Sequence, residues 1–375
     1  MKVKFKQSLL LNALEQLNRI AATKNSILTV VMNSYLFTVK KTATLITAHN
    51  LEVLGNIAVF SESDSEGIFV IPHNIYNALK EIPSETVEIE VGETSAKVMA
   101  GFDEVILPVM NQAEFVRREA DYKNSLVSIP CDKTVIESVE RATMFCNLAD
   151  ELKPVFGAVC VKVSKGKIII YGSDGYSMYR NTFAPVGLDE SIEKMILVPK
   201  ALHGPFRGLR KDGTSNIVFS PSTIGVKSPT TSSEYFIRAL DLKVPDYERV
   251  IPQDLPTKFM FTRADLLKAV EVSSALDTER DRAMVFSLNG KLEVRRENNE
   301  KGSKFTTTVK TENFPANANM VLGFNIYYLK KMLNAFETPV IQIELVNPTT
   351  AALFRPVIAG KATEESILIM PTKTI

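Results

Sequence analysis

Apolar residues recur along this chain with two periods, one helical and one of two. In residues 5–21, Leu10, Leu14 and Leu17 fall at i, i+4 and i+7, with Gln7 and Ser8 near the start, which predicts an amphipathic helix. Strand signals follow at Tyr35–Val39 and Thr44–Thr47. Residues 71–82 read as a second helix with Pro72 in its first turn. Thr86–Val91 then alternates apolar and polar at every step, a half-exposed strand; Gly92-Glu93-Thr94 turns it and Ala96–Ala100 returns.

The same order recurs twice. Residues 129–142 predict a first helix again, Ile196–Pro199 leads into a helix-like stretch ending near Lys211, and Ile217–Phe219 with Ile224–Lys227 repeats the hairpin. A third pass runs through Phe261–Val270, Gly323–Phe336, Val340–Leu345 and Ala351–Phe354. Pro72, Pro199 and Phe324 mark equivalent points, 127 and 125 residues apart. A period this long means copies of a whole domain, since solenoid repeats run to roughly 20–50 residues. The expected domains are 1–126, 127–253 and 254–375, and a chain of 375 residues is too long for one core. Each is expected to be α+β with antiparallel strands, because hairpin signals outnumber crossover signals.

Composition narrows the class without naming a function. With 45% hydrophobic and 23% charged residues, the chain has the make-up of an ordinary soluble protein. Cys131, Cys146 and Cys160 have no metal-site spacing and form no even disulfide set, which points to a reducing compartment. No signal-peptide pattern or long apolar run stands out, so the expectation is cytoplasmic. The net charge is +1; residues 1–125 hold 12 Lys+Arg against 15 Asp+Glu, and residues 126–375 hold 32 against 28. That asymmetry is too mild to identify a partner.

Recognisable catalytic patterns are missing. His49, His73 and His203 belong to no His-Glu-x-x-His motif, Gly360-Lys361-Ala362 ends in the wrong residue for a phosphate loop, and Gly172-Ser173-Asp174-Gly175 is not Gly-x-Ser-x-Gly. Glu364 and Glu365 are neighbours that a strand would point to opposite sides, and both are expected to be solvated. No enzyme activity, metal or cofactor is expected.

Two stretches carry more information. Ile168–Tyr171 reads as a buried strand, Ser173-Asp174-Gly175 as a turn, and Tyr176 and Met178 as neighbours on one side of an extended segment. Residues 244–252 run Val-Pro-Asp-Tyr-Glu-Arg-Val-Ile-Pro between two prolines, and the C-terminal region contains Met370-Pro371. Together with Ser173–Met178, these segments closely resemble the bacterial DNA polymerase III beta subunit, the sliding clamp. The resemblance runs the length of the chain, and the Pro-Asp-Tyr-Glu-Arg-Val-Ile-Pro match is its most specific part.

The resemblance implies three similar clamp domains per chain, with sheets outside and paired helices inside. Two chains would join head to tail into a ring around duplex DNA, held topologically and without sequence readout. It also implies a homodimer whose clients include the DNA polymerase III alpha subunit, the clamp loader, and other replication and repair proteins carrying short peptide motifs. Their groove would lie between domains 2 and 3. One subsite would be Val155, Ser173, Gly175, Tyr176, Met178, Pro245, Arg249, Val250, Leu368 and Met370; the other would be Pro154, Ala351, Pro371 and Thr372. Read from the residues alone, these apolar positions fit an interdomain core equally well.

Lys24, Lys200, Arg207, Arg210, Lys211, Lys330 and Lys331 would face DNA, although the same charges also fit a solvated face, and Gly204-Pro205 interrupts the helix that carries four of them. Phe102 and Leu276 match apolar dimer-interface positions; Glu104 stands where an apolar residue is common, with Arg280 and Arg282 available to answer it. Tyr176-Ser177 replaces the family's usual His-Arg, Pro154 replaces a Tyr, and the tail ends Thr372-Lys-Thr-Ile375 in place of Arg-Leu, so the pocket should keep its location and change its shape. A three-domain peptide-binding scaffold that does not encircle DNA is the alternative reading.

Overall fold

A computed structural model describes residues 1–21, 33–50, 53–115, 127–147, 153–199, 201–202, 215–220, 223–228, 232–275, 283–298 and 302–373. Among these residues lie five helices: α1 (Gln7–Ala21), α2 (Asn74–Glu81), α3 (Lys133–Phe145), α4 (Arg263–Ser274) and α5 (Ile326–Ala335). The remaining elements are antiparallel strands and short 3-10 turns. The α1 periodicity is realised directly: Leu10, Leu14 and Leu17 are all fully buried.

Three starting points differ from the sequence reading. Helices α1, α3 and α4 are each preceded by a strand, Lys2–Lys6, Val127–Cys131 and Thr257–Thr262. Phe5, Ile129 and Phe261, read as helix starts, belong to these strands. Five or six alternating residues that run straight into a helical repeat carry little signal of their own. Their partners are far along the chain: Lys2–Lys6 pairs with Thr86–Glu90, Val127–Cys131 with Ser215–Phe219, and Thr257–Thr262 with Val340–Leu345. Each partner is the first strand of a late hairpin, so one strand–helix–hairpin connection occurs three times.

The described chain divides into two compact units. One comprises Met1–Glu137 with Val198–Asp241, the other Ser138–Leu197 with Leu242–Ile375. The first unit holds a twelve-stranded sheet. In it, Val53–Ile57 pairs with Ser233–Ile237, joining the first third of the chain to the second. Gly55 permits α1 to press on this seam: a Cβ there would lie 2.6 Å from Ile20 Cδ1 and 2.9 Å from Leu17 Cδ2.

The second unit holds a ten-stranded sheet and a separate four-stranded one. Its seam is shorter. Ser177–Arg180 pairs with Ser366–Ile369, so the last strand of the chain is stitched to residues nearly two hundred positions earlier. Gly172, in the adjacent strand Lys167–Ser173, lies against the backbone of α3; a Cβ at this position would come within 2.0 Å of the Ala142 carbonyl oxygen.

Candidate functional site

In the second unit, alternation along Ser177–Phe183 sends neighbouring side chains to opposite faces. Tyr179 stacks on Phe145 of α3, with ring centroids 6.1 Å apart. Met178 therefore faces the other way. It joins Ala158, Cys160, Tyr171, Leu197, Tyr247, Leu255, Ala351, Leu353 and Leu368 in one apolar cluster, against which Val155, Phe156, Leu242, Val244 and Ile251 pack half-buried. Met178 lies opposite Leu368, and Leu368 opposite Leu353, so residues from three strands form a continuous apolar surface.

A tight turn closes one end of this surface. Gly175 has φ +88°, a conformation that suits glycine. Asp174 Oδ1 accepts from the Tyr176 and Ser177 amides at 3.0 and 2.8 Å, and Ser173 Oγ accepts from the Gly175 amide at 3.1 Å. The turn lifts Tyr176 out of the strand: it is 64% exposed, whereas Met178 is buried. The expectation that the two share one side of an extended segment is thus corrected, because the strand begins only at Ser177. The tail is tied to the same turn, with the Met370 amide donating to the Tyr176 carbonyl at 3.0 Å.

The Asp246–Val250 region frames another side. Tyr247 stacks on Tyr171 at 5.0 Å, while Glu248 accepts from the Tyr171 hydroxyl and pairs with Arg180 Nε at 3.1 Å. Burial, and then the hydrogen bond from Tyr171 to Glu248, holds the Tyr171 phenol far above its ordinary range. Pro245 is half-buried, and Arg249 and Val250 are exposed on a single 3-10 turn, Glu248–Val250.

The predicted residues thus fall into distinct places. Val155, Met178, Ala351 and Leu368 belong to the apolar cluster and its margin. Ser173, Gly175 and Tyr176 form the turn. Met370 is exposed and Pro371 half-buried in the tail, and the Thr372 amide donates to the Gly323 carbonyl at 2.8 Å. Pro154 is exposed at the start of the 3-10 turn Pro154–Gly157.

Sequence reasoning missed Phe156, Tyr171, Tyr247 and Tyr328. The first three lie in or against the apolar cluster, and Tyr328 stacks on Tyr176 with centroids 6.4 Å apart. Burial, with Asp174 and the adjacent tyrosines, pushes the Tyr328 phenol up to about 12. The Tyr-Tyr pair at 327–328 opening α5 is the one signal that pointed there.

The charge expectations are corrected in part. Lys331 does not offer a free charge: its side chain is 8% exposed and its ammonium pairs with Asp174 Oδ2 at 3.2 Å. Lys330, one residue earlier and about 100° around α5, is exposed. Lys24, Lys200, Arg207, Arg210 and Lys211 lie outside the described residues, as do Leu276, Arg280 and Arg282. Glu104 is already paired, with Lys97 at 2.7 Å. Glu365, expected to be solvated, is instead drawn in by the Arg141 guanidinium at 2.9 Å and the Tyr179 hydroxyl at 2.7 Å.

Phe102 is fully exposed beside Asp103–Pro108, which is the terminal strand of the twelve-stranded sheet, and Ile106 on that strand is exposed as well. Among the described residues no group of three His, Cys, Asp or Glu side chains is placed to hold a metal ion, and no helix is long and apolar enough to cross a membrane.

Comparisons with known proteins agree at both ends of the chain. Residues 1–117 match the family model described as DNA polymerase III beta subunit, N-terminal domain, and residues 248–373 match the one described as DNA polymerase III beta subunit, C-terminal domain. The beta sliding clamp of Pseudomonas aeruginosa is 24% identical over 333 residues, covering 86% of this chain and 88% of that protein. The beta sliding clamp of Bacillus subtilis is 23% identical over 321 residues, covering 83% and 82%. Among solved structures, a P. aeruginosa sliding clamp bound to griselimycin superposes with a TM-score of 0.90 at 20% identity, and the Thermotoga maritima DNA polymerase III beta subunit with 0.85 at 20%; both alignments cover all of both chains.

Proposed function

The chain belongs to the DNA polymerase III beta subunit family, and on that premise we propose that it works as a ring of two copies through which duplex DNA passes. It is a sliding clamp, a non-catalytic processivity factor of DNA replication. The family match at both ends of the chain carries this reading. The proposed domains are 1–126, 127–253 and 254–375, each built on the strand–helix–hairpin connection that recurs three times. For the contact between copies, Asp103–Pro108, the edge strand of its sheet among the described residues, offers with Phe102 and Ile106 a sheet edge and apolar side chains, as a sheet extended across an interface requires.

Clients dock, in this proposal, on the apolar surface around Met178 and Leu368. Extended peptides suit such a surface: a Leu or Phe side chain fills the apolar slot, while the turn and the exposed Arg249 orient the backbone. The polymerase alpha subunit, the clamp loader and repair proteins are the proposed clients. Contacts to DNA are to phosphates, with Lys330 the described candidate, and depend on salt.

Light scattering after size exclusion tests the ring: the expected mass is twice 41.6 kDa. Loaded on nicked circular DNA, the protein is expected to stay bound until the circle is cut. A monomer that never stays on closed circles would replace the ring with a peptide-binding scaffold. Met370→Ala and Arg249→Ala are each expected to weaken peptide binding about tenfold with the dimer unchanged, the scale of losing one apolar or polar anchor; unchanged affinity in both would remove the docking site.

A further inference from the structure

Lys331 occupies an unusual position for a lysine on a short helix. Its ammonium sits 4.8 Å from the centroid of Phe145, 5.5 Å from Tyr327 and 5.7 Å from Tyr328. The rings supply cation–π attraction, and Asp174, 11% exposed, supplies the counter-charge that makes such burial tolerable. Asp174 then does two things with one carboxylate. Oδ2 takes the Lys331 ammonium, while Oδ1 accepts from the Tyr176 and Ser177 amides and from the Ser177 hydroxyl at 3.1 Å. The Tyr176 carbonyl in turn accepts from the Met370 amide. A single chain of polar contacts thus runs from α5 through the turn to the tail, and the Tyr176–Tyr328 stack lies beside it.

We propose that Lys331 is a positioning residue of the docking site: by holding Asp174 it fixes the Ser173–Ser177 turn, the Tyr176–Tyr328 rim and the Met370 tail in one arrangement and so sets the affinity for apolar peptide side chains. The inference rests on the docking reading above. Without the cation, Asp174 keeps its amide donors but loses its tie to α5, and turn and tail move independently of the rim. A bound peptide must then order them at the expense of its own affinity. Arginine retains the charge, the planar stacking on aromatic rings and the pairing with a carboxylate.

The test uses the full chain and a fluorescein-labelled hexapeptide whose apolar residues are Leu and Phe, with affinity read by anisotropy. Lys331→Met is expected to bind about tenfold more weakly, the scale of losing a charge-assisted contact, with Lys331→Arg restoring most of the loss. Asp174→Asn, which keeps an acceptor and removes the charge, should weaken binding similarly.

The chain has no tryptophan, so Tyr176→Trp provides a single fluorophore in the turn. Without peptide, its quenching by acrylamide should rise when Lys331→Met is added, a change that mere loss of global stability would not confine to this turn. If the parent chain binds the peptide, Met370→Ala weakens it and neither Lys331→Met nor Asp174→Asn does, the role of Lys331 is overturned and the docking site stands. If the parent chain shows no saturable binding, the docking reading falls and this inference with it.

Discussion

The two seams in the twelve- and ten-stranded sheets are made by the same operation and end with different surfaces. At each, a strand from one third of the chain pairs antiparallel with a strand from another. In the first unit the face turned from α1 presents Glu234 opposite Asn56 and Phe236 opposite Leu54, with Lys227 reaching Glu234 at 3.1 Å. That face sets an answered charge beside apolar side chains. In the second unit the face turned from α3 presents Met178 and Leu368, buried with Leu353 in one apolar cluster, and the exposed Tyr176 stands in the turn beside them. Strand pairing joins parts of the fold equally well in both cases; what differs is what the outward face packs into.

The largest expected difference between the seams comes from their glycines. Gly172→Ala puts a methyl into the Ala142 carbonyl, which belongs to the α3 backbone and cannot rotate away, so a loss of about 3 kcal/mol or more is expected in urea unfolding. Gly55→Ala meets the ends of the Ile20 and Leu17 side chains, which can change rotamer, and about 1–2 kcal/mol is expected. Equal losses would mean the α3 backbone shifts as easily as a side chain.

Next come the ion pairs. Glu365→Gln leaves the Arg141 guanidinium with only the exposed Glu337 carboxylate, at 3.9 Å, in the second unit; because Arg141 also keeps some contact with water, about 2 kcal/mol is expected, below the full cost of a buried pair. Lys227→Ala breaks the more exposed pair in the first unit, and a shift of no more than about 0.5 kcal/mol is expected.

The smallest effect is chemical. Burial pushes the Cys146 thiol up to about 12, and burial raises Cys131 and Cys160 as well. None of the three should react with iodoacetamide at pH 8 in the folded protein, and all should react in urea. Rapid labelling of Cys146 or Cys160 alone would reveal local opening of the second unit beneath its apolar cluster.

Much of the fold was legible in the sequence where one period persisted long enough. Helix α1 and the hairpin Thr86–Val91 with Ser95–Ala100 are examples, because fifteen residues of 3.6 periodicity or six of strict alternation leave few alternatives. The strands before α1, α3 and α4 were not legible, since they are short and owe their existence to partners some eighty residues away. Site residues followed the same rule. Ser173, Gly175, Met178 and Leu368 stood out through motifs, whereas Tyr171 and Tyr247 looked like ordinary aromatic residues until folding stacked them.

Lys331 is the clearest case of the limit. A lysine on a helix beside another lysine reads as solvent-facing charge, and Lys330 is that. One step of about 100° around the helix turns Lys331 into a cage of two tyrosine rings from its own helix and of Phe145 and Asp174, which lie far away in sequence. The sequence by itself determined the local periods, the turn chemistry at Ser173–Gly175 and the family. The tertiary structure alone decided which charges stay in water and which apolar residues gather in one cluster, because both depend on partners that only long-range strand pairing brings within contact distance.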